Sequence, residues 1–215
     1  MEEDGGVDEH LRQEARDAIG FMPEEEGLAL YEAGLEGALH GPLLEIGSYC
    51  GKSAIYLGAA AENRMTVLFS VDHHRGSEEH QPGEEYHDPR LVDPATGKID
   101  TLPVFKETIV KAGLENSVVA VVGDSRSIAE RWERSLGMVF IDGGHSQDAA
   151  EADYGGWAPH VAEKGILAIH DVFDLPDEGG QAPRQIFERA TDSGAFEEIA
   201  RCATLRILRR TGAPL

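Results

Sequence analysis

Short apolar runs punctuate the chain: LLEI at 43–46, TVLFSV at 66–71, SVVAVV at 117–122, MVFI at 138–141 and ILAI at 166–169. Each is too short for a core helix, most carry β-branched residues, and each ends in a polar or Gly-rich turn. That is the pattern of strands buried in a parallel sheet. Segments with helical spacing lie between them, at 51–62, 101–113, 126–135, 146–160 and 182–193. Alternation of this kind predicts an α/β fold with helices on both faces of a mostly parallel sheet. Two more strands, about 196–202 and 204–209, follow with no helix between them. They make seven strands and close the sheet with a C-terminal antiparallel hairpin.

Residues 73–100 interrupt the alternation. The stretch HHRGSEEHQPGEEYHDPRLVDPATGKID is polar and holds four of the nine histidines. A connection this long inside a compact domain is usually functional or disordered, and its Arg, Tyr and His content favours a substrate loop. The first forty residues hold twelve Asp and Glu against Arg12 and Arg16. They read as an acidic, partly flexible helical cap (1–40) before the main domain (41–215).

The formal charge of −21 over 215 residues repels phosphates and anionic lipid heads, which argues against nucleic-acid and membrane partners. The acidic start, MEEDGGVDEH, lacks the basic flank and apolar centre of a signal peptide. The expectation is a cytoplasmic protein. Cys50 and Cys202 are far apart and no CxxC occurs, so neither a disulfide framework nor a structural zinc site is expected. Cys50 reads as a small residue packed in a tight place.

In an open parallel sheet, ligands bind beyond the carboxyl ends of the strands. The first strand runs into Glu45-Ile46-Gly47-Ser48-Tyr49-Cys50-Gly51-Lys52-Ser53. The Gly-Lys-Ser ending looks like a phosphate-binding loop, but the glycine that motif needs would fall at position 46, which is Ile46. A dinucleotide fingerprint fails too, because the spacing is G-x-x-x-G. Asp72 follows the second strand, where an acid accepts bonds from ribose hydroxyls. Gly123-Asp124-Ser125 follows the third and suits an adenine edge. Ile141-Asp142-Gly143-Gly144-His145 and His170-Asp171 follow the fourth and fifth.

This ordered set resembles the class I S-adenosylmethionine-dependent methyltransferases, whose sheet is Rossmann-like, over about residues 40–210. The resemblance implies that Glu45, Gly47, Ser48, Gly51 and Ser53 line the methionine end of the cofactor. Asp72 would hold the ribose, and Asp124 and Ser125 the adenine side. More narrowly, IDGGH followed by HD resembles the metal-dependent sugar O-methyltransferases, including macrocin-type enzymes and relatives of cephalosporin hydroxylase. The long loop and the GGQAPRQIFERA segment resemble an actinobacterial subgroup, of the kind that methylates a mannoside in mycobacterial methylmannose polysaccharide synthesis.

A hydroxyl is a poor nucleophile, and a divalent cation on its oxygen eases proton loss. Asp142 and Asp171, at the ends of adjacent strands, suit Mg²⁺, with His170 a third candidate ligand. Related families carry two acids in tandem where this chain has His170-Asp171. An imidazole there tilts preference toward Mn²⁺, Fe²⁺ or Zn²⁺. By resemblance to the D-x-x-H of macrocin-type enzymes, His145 is the candidate general base beside Asp142. The expected partner is a small acceptor, a saccharide before a catechol-like phenol, with a homodimer as the default assembly. The rival readings are a non-haem iron oxygenase or metallohydrolase on the same fold, a non-catalytic saccharide-binding protein, and an NAD-linked dehydrogenase.

Overall fold

The computed structural model describes residues 6–81, 83–84, 86–144 and 146–215. Helices α1 (Glu9–Asp17) and α2 (Glu24–Gly37) precede β1 (Leu43–Ile46), α3 (Lys52–Asn63) and β2 (Leu68–Asp72). Then come α4 (Leu102–Lys111), β3 (Val118–Val122), α5 (Ser125–Ala129), β4 (Leu136–Ile141) and α6 (Gln147–Trp157). The chain ends with β5 (Val161–Ile169), α7 (Ala182–Asp192), β6 (Phe196–Cys202) and β7 (Leu205–Arg210). The strand order is β3-β2-β1-β4-β5-β7-β6. The first five strands run parallel, and β7 pairs antiparallel with both β5 and β6. The expected seven-stranded, mostly parallel sheet with a terminal hairpin is the observed one.

The apolar runs are continuous because both faces of the sheet are covered. Successive strand residues point to opposite faces. Leu43, Met138, Phe140, Ile166 and Ala168 join a cluster with residues of α1 to α4. Their neighbours Leu44, Val139, Ile141, Leu167 and Ile169 join a second cluster with residues of α5 to α7. Helix α2 belongs fully to the first: Leu30, Tyr31 and Ala33 are buried against it.

Two expectations are corrected. SVVAVV is an edge strand, not a buried one: Val119 and Val122 are exposed, because β3 ends the sheet and only β2 flanks it. The helix expected over 126–135 stops at Ala129. There Arg131 and Trp132 turn back with backbone N–H bonds to Ile128 and Ala129, and the Trp132 ring packs edge-on against Phe69 and Trp157. The long loop is pinned rather than free. Its Val92 and Ile99 form an antiparallel bridge, and Leu91 and Ile99 pack on Cys50.

The end of α2 is pressed against β4. A Cβ built on Gly137 would lie 2.1 Å from the Gly37 carbonyl oxygen and 2.6 Å from the Gly41 nitrogen. Backbone cannot yield as a side-chain tip can. Gly137→Ala is therefore expected to destabilise the fold by about 1–3 kcal/mol or more, measured by chemical denaturation, and a wild-type midpoint would show that the contact is soft.

Candidate active site

Strand register makes the site. Ile46 pairs with Ile141, and Ile141 with Ile169, so β1, β4 and β5 end level. Val71 pairs with Ile46 on the other side of β1. The residues after these ends therefore share one row: Gly47, Asp72, Asp142, His170. The order reverses between β1 and β4, the crevice where open α/β sheets bind ligands. Gly47 has φ +88, and a Cβ there would lie 2.1 Å from the Asp142 carbonyl oxygen. Only glycine allows that approach with that backbone.

On one side of the crevice, one donor atom each from Asp142, His170 and Asp171 lies within 4.8 Å of the others. His170 is 7% exposed. Its Nδ1 is 3.1 Å from Asp142 Oδ1 and 3.4 Å from Asp171 Oδ2, and its Nε2 is 2.8 Å from Glu26 Oε2. Burial opposes charge on the imidazole. Asp142, then Asp171 and Glu26, outweigh it and hold the His170 pKa far above the ordinary histidine value. Asp171 sits in the left-handed region at φ +55. Aspartate tolerates that conformation better than most residues. Two carboxylates and one imidazole nitrogen are donors of the kind that could hold a divalent cation. His145 lies outside the described residues.

On the other side lies the turn after β1. The Ser48 hydroxyl is buried at 2% exposure and finds no partner among the described residues. A buried hydroxyl without a bond costs about 1–3 kcal/mol, so a ligand atom that bonded it would recover that energy. Asp72 accepts the backbone N–H groups of Tyr49 (2.8 Å) and His74 (2.7 Å), which fixes its carboxylate at the crevice wall. Asp124 caps α5 by accepting from Ser127. Ser125 donates to Asp153 Oδ1 (2.6 Å) and accepts from the Trp157 indole (2.8 Å). Gly47, Ser48, Ser53, Asp72, Asp124, Ser125, Asp142, His170 and Asp171 all line one cavity of about 980 Å³.

Glu45 and Gly51 are not brought to that wall. The Glu45 side chain is wholly buried, taking hydrogen bonds from Ser53 (2.8 Å) and Ser70 (2.6 Å). It props the turn from beneath. Gly51 serves as the left-handed N-cap of α3, against Phe105 and Thr108. Nor does Lys52 act as a phosphate lysine. Its ammonium reaches the Ala18 and Gly20 carbonyl oxygens at 3.4 Å each, tying down the segment after α1, and burial lowers its pKa.

Sequence reasoning missed three contributors. Glu26 stands on the stripe Glu26-Leu30-Ala33-Gly37, all buried on one face of α2. An acid at an apolar helical spacing was the available signal. Asp153, on α6, is pushed up to about 6 by burial and by Asp124, against its bond from Ser125. The third is a ring cluster at the cavity wall. Phe21 lies 6.0 Å from Tyr49 and 5.1 Å from Tyr86, and Tyr49 lies 4.7 Å from His80, centroid to centroid. No local pattern shows this one, because its members are brought together only by folding.

Residues 44–172 match the family described as "Methyltransferase domain". The chain belongs to that family. The match spans β1 to the end of β5, the part that carries both sides of the crevice. Among solved structures, the chain is similar to an S-adenosylhomocysteine-bound methyltransferase from Podospora anserina, at 13% identity over 97% of this chain and 91% of that one, TM-score 0.67. An O-methyltransferase from Streptomyces achromogenes, in complex with S-adenosylmethionine, aligns at 18% identity over 96% and 91%, TM-score 0.64. One from Bacillus cereus, with S-adenosylhomocysteine, aligns at 13% over 97% and 94%, TM-score 0.65. At these identities the likeness is one of fold, and it covers nearly the whole methyltransferase chain. Among the described residues no helix is long and apolar enough to cross a membrane.

Burial raises the Glu45 carboxyl to about 7 from 4.5, with Asp142 and Asp72 adding to the rise and the two serine bonds opposing it. The folded state therefore holds that proton more tightly than the unfolded chain does. The associated stability is complete below about pH 4.5 and is lost as pH climbs through about 7. In this methyltransferase-family chain, Glu45→Gln should match wild type near pH 4.5 and exceed it by up to about 3 kcal/mol above pH 7.5. Denaturant titrations across that range, read as the difference between the two proteins, provide the check. A constant difference would place the Glu45 titration elsewhere.

Proposed function

We propose that the chain is a divalent-metal-dependent O-methyltransferase that moves the methyl group of S-adenosylmethionine to a hydroxyl of a small saccharide or glycoside. One observation supports this above the others. A single cavity at the sheet's switch point joins the Gly47-Ser48 turn and Asp72 on one side to the Asp142, His170 and Asp171 cluster on the other. Both groups fit the residues present. The Ser48 hydroxyl lacks a partner of its own, and Asp72 is held with two backbone bonds. The three-residue cluster has the chemistry of a hard-to-borderline cation site.

When bound, the cofactor supplies a methyl group on a positively charged sulfur, and the cation supplies Lewis acidity toward a hydroxyl oxygen. The chain's part is to place them. Ser48 and Ser53 would meet the methionine end, Asp72 the ribose hydroxyls, and Asp124 and Ser125 the adenine side. Asp142, His170 and Asp171 would hold Mg²⁺ or Mn²⁺. His145, three residues after Asp142, is assigned the proton of the acceptor hydroxyl, since a histidine needs little tuning to act as a base near neutrality. The rings of Phe21, Tyr49 and Tyr86 would present flat apolar faces to the acceptor. A sugar ring stacks its C–H face on such a wall, and the acids around it suit a neutral polyhydroxylated molecule. The same wall also favours a second reading, a phenolic acceptor.

Two experiments test the proposal. Calorimetry should show binding of S-adenosylhomocysteine, and Asp72→Asn should weaken it by about 10–100-fold, the worth of one or two bonds to a charged group. Binding of NADH in its place would overturn the reading. Mass spectrometry of incubations with S-adenosylmethionine, Mg²⁺ and a panel of mannosides and catechols should show a gain of one methylene in one class. EDTA should abolish that gain, and His145→Ala should reduce its rate by about 10²–10⁴-fold. Full turnover in EDTA would remove the metal from the mechanism.

A further inference from the structure

The Glu26 carboxylate has its two oxygens assigned to different tasks. Oε1 accepts three bonds from the tight turn between β6 and β7: Thr204 N (2.7 Å), Thr204 Oγ1 (2.8 Å) and Leu205 N (3.2 Å). Oε2 lies 2.8 Å from His170 Nε2, within hydrogen-bond distance. The residue is 1% exposed, so water cannot take over either task. The two backbone N–H groups are donors in every state of the protein, which fixes the carboxylate's orientation. Its only remaining oxygen can accept but not donate.

From this we infer that Glu26 is a positioning residue that keeps a proton on Nε2 of His170, so that Nδ1 is the atom that gives up its proton to a cation shared with Asp142 and Asp171. The bond made by one imidazole nitrogen decides the role of the other. A carboxylate behind a ligating histidine is the arrangement that orients the ring and raises its basicity. Here the carboxylate comes from α2, 144 residues away in sequence, outside the segment that matches the methyltransferase family. The N-terminal helix is thus a component of the cluster, and the β6–β7 turn is fixed to it by the same side chain. The role at the cation deepens the metal-dependent reading proposed above and rests on it, whereas the assignment of the proton to Nε2 stands on geometry alone.

Glu26→Gln separates these statements. The amide oxygen must stay with the Thr204 and Leu205 donors, so the amide nitrogen would face His170 and donate to Nε2, leaving the ring proton on Nδ1 alone. Nitrogen-15 shifts of the His170 ring in cation-free protein should show Nε2 protonated in wild type and unprotonated in the variant. Calorimetry with Mn²⁺ should show affinity reduced by about 10–100-fold in Glu26→Gln, while S-adenosylhomocysteine binding stays at the wild-type level. An unprotonated Nε2 in wild type, or the same ring pattern in both proteins, overturns the inference. The wild-type spectrum alone can do so if the variant fails to fold. Wild type that binds no Mn²⁺ but shows the expected ring pattern would refute the metal reading and leave the Glu26 assignment of Nε2 standing. Equal Mn²⁺ affinity in both proteins would remove Glu26 from the cation site.

Discussion

The level ending of β1, β4 and β5 is the constraint on which the site depends. Because Ile46, Ile141 and Ile169 sit in register, the chain leaves three neighbouring strands at one height. Gly47 and His170, 123 positions apart in sequence, then end in one row. A register slip of one residue would turn every side chain to the opposite face. Burial of both faces forbids it, since Leu43 and Leu44, or Val139 and Phe140, already fill opposite cores. Packing of the sheet and placement of the chemistry are therefore one requirement. Gly47 shows its tightness, with backbone against the Asp142 carbonyl where any side chain would collide.

Around that row, each wall of the crevice is held by a different kind of bond. Backbone N–H groups fix Asp72, side-chain hydroxyls hold Glu45 beneath the turn, and an acid from a distant helix holds His170. Buried polar groups of this kind are costly unless fully bonded. Here the bonding is nearly complete, and the Ser48 hydroxyl stands out among the residues facing the cavity. The N-terminal segment takes part in the same way. Lys52 ties down Ala18 and Gly20, and Phe21 joins the ring cluster.

Much of this was legible in the sequence, for local reasons. Strands buried on both faces have to be continuous apolar runs, so LLEI, MVFI and ILAI announced themselves. Residues following a strand end sit at the ligand face of an open sheet by topology, which is why Asp72, Asp142 and His170 could be singled out without contacts. The failures had non-local causes. Whether SVVAVV lies inside or at the edge depends on strand order. Where α5 stops depends on Trp132 finding Phe69 and Trp157. Glu45 and Gly51 carry the right spacing, but spacing cannot say whether a side chain faces the cavity or the core beneath it. Glu26 was hidden for a different reason: in an acid-rich segment one carboxylate resembles the others until its helix face is known.

Charge then bears on which ligands the cavity favours. Among its described lining residues are ten carboxylates, against Lys52 and Arg126 as the fixed cations. Lys52 spends its ammonium on two carbonyl oxygens, and Asp142 and Asp72 already add to the rise in the Glu45 pKa. A dinucleotide or a nucleoside triphosphate would bring two or more phosphate charges into this field. S-adenosylmethionine brings an amine and a sulfonium against a single carboxylate, and a divalent cation brings two further positive charges. Such an acid-lined cavity repels polyanionic cofactors and gains by holding cationic ones. The incomplete phosphate loop at Gly51-Lys52-Ser53 and the acid-rich wall are thus two expressions of one electrostatic choice. That choice weighs against the dehydrogenase and nucleotide readings by the same physics that supports the proposed cofactor.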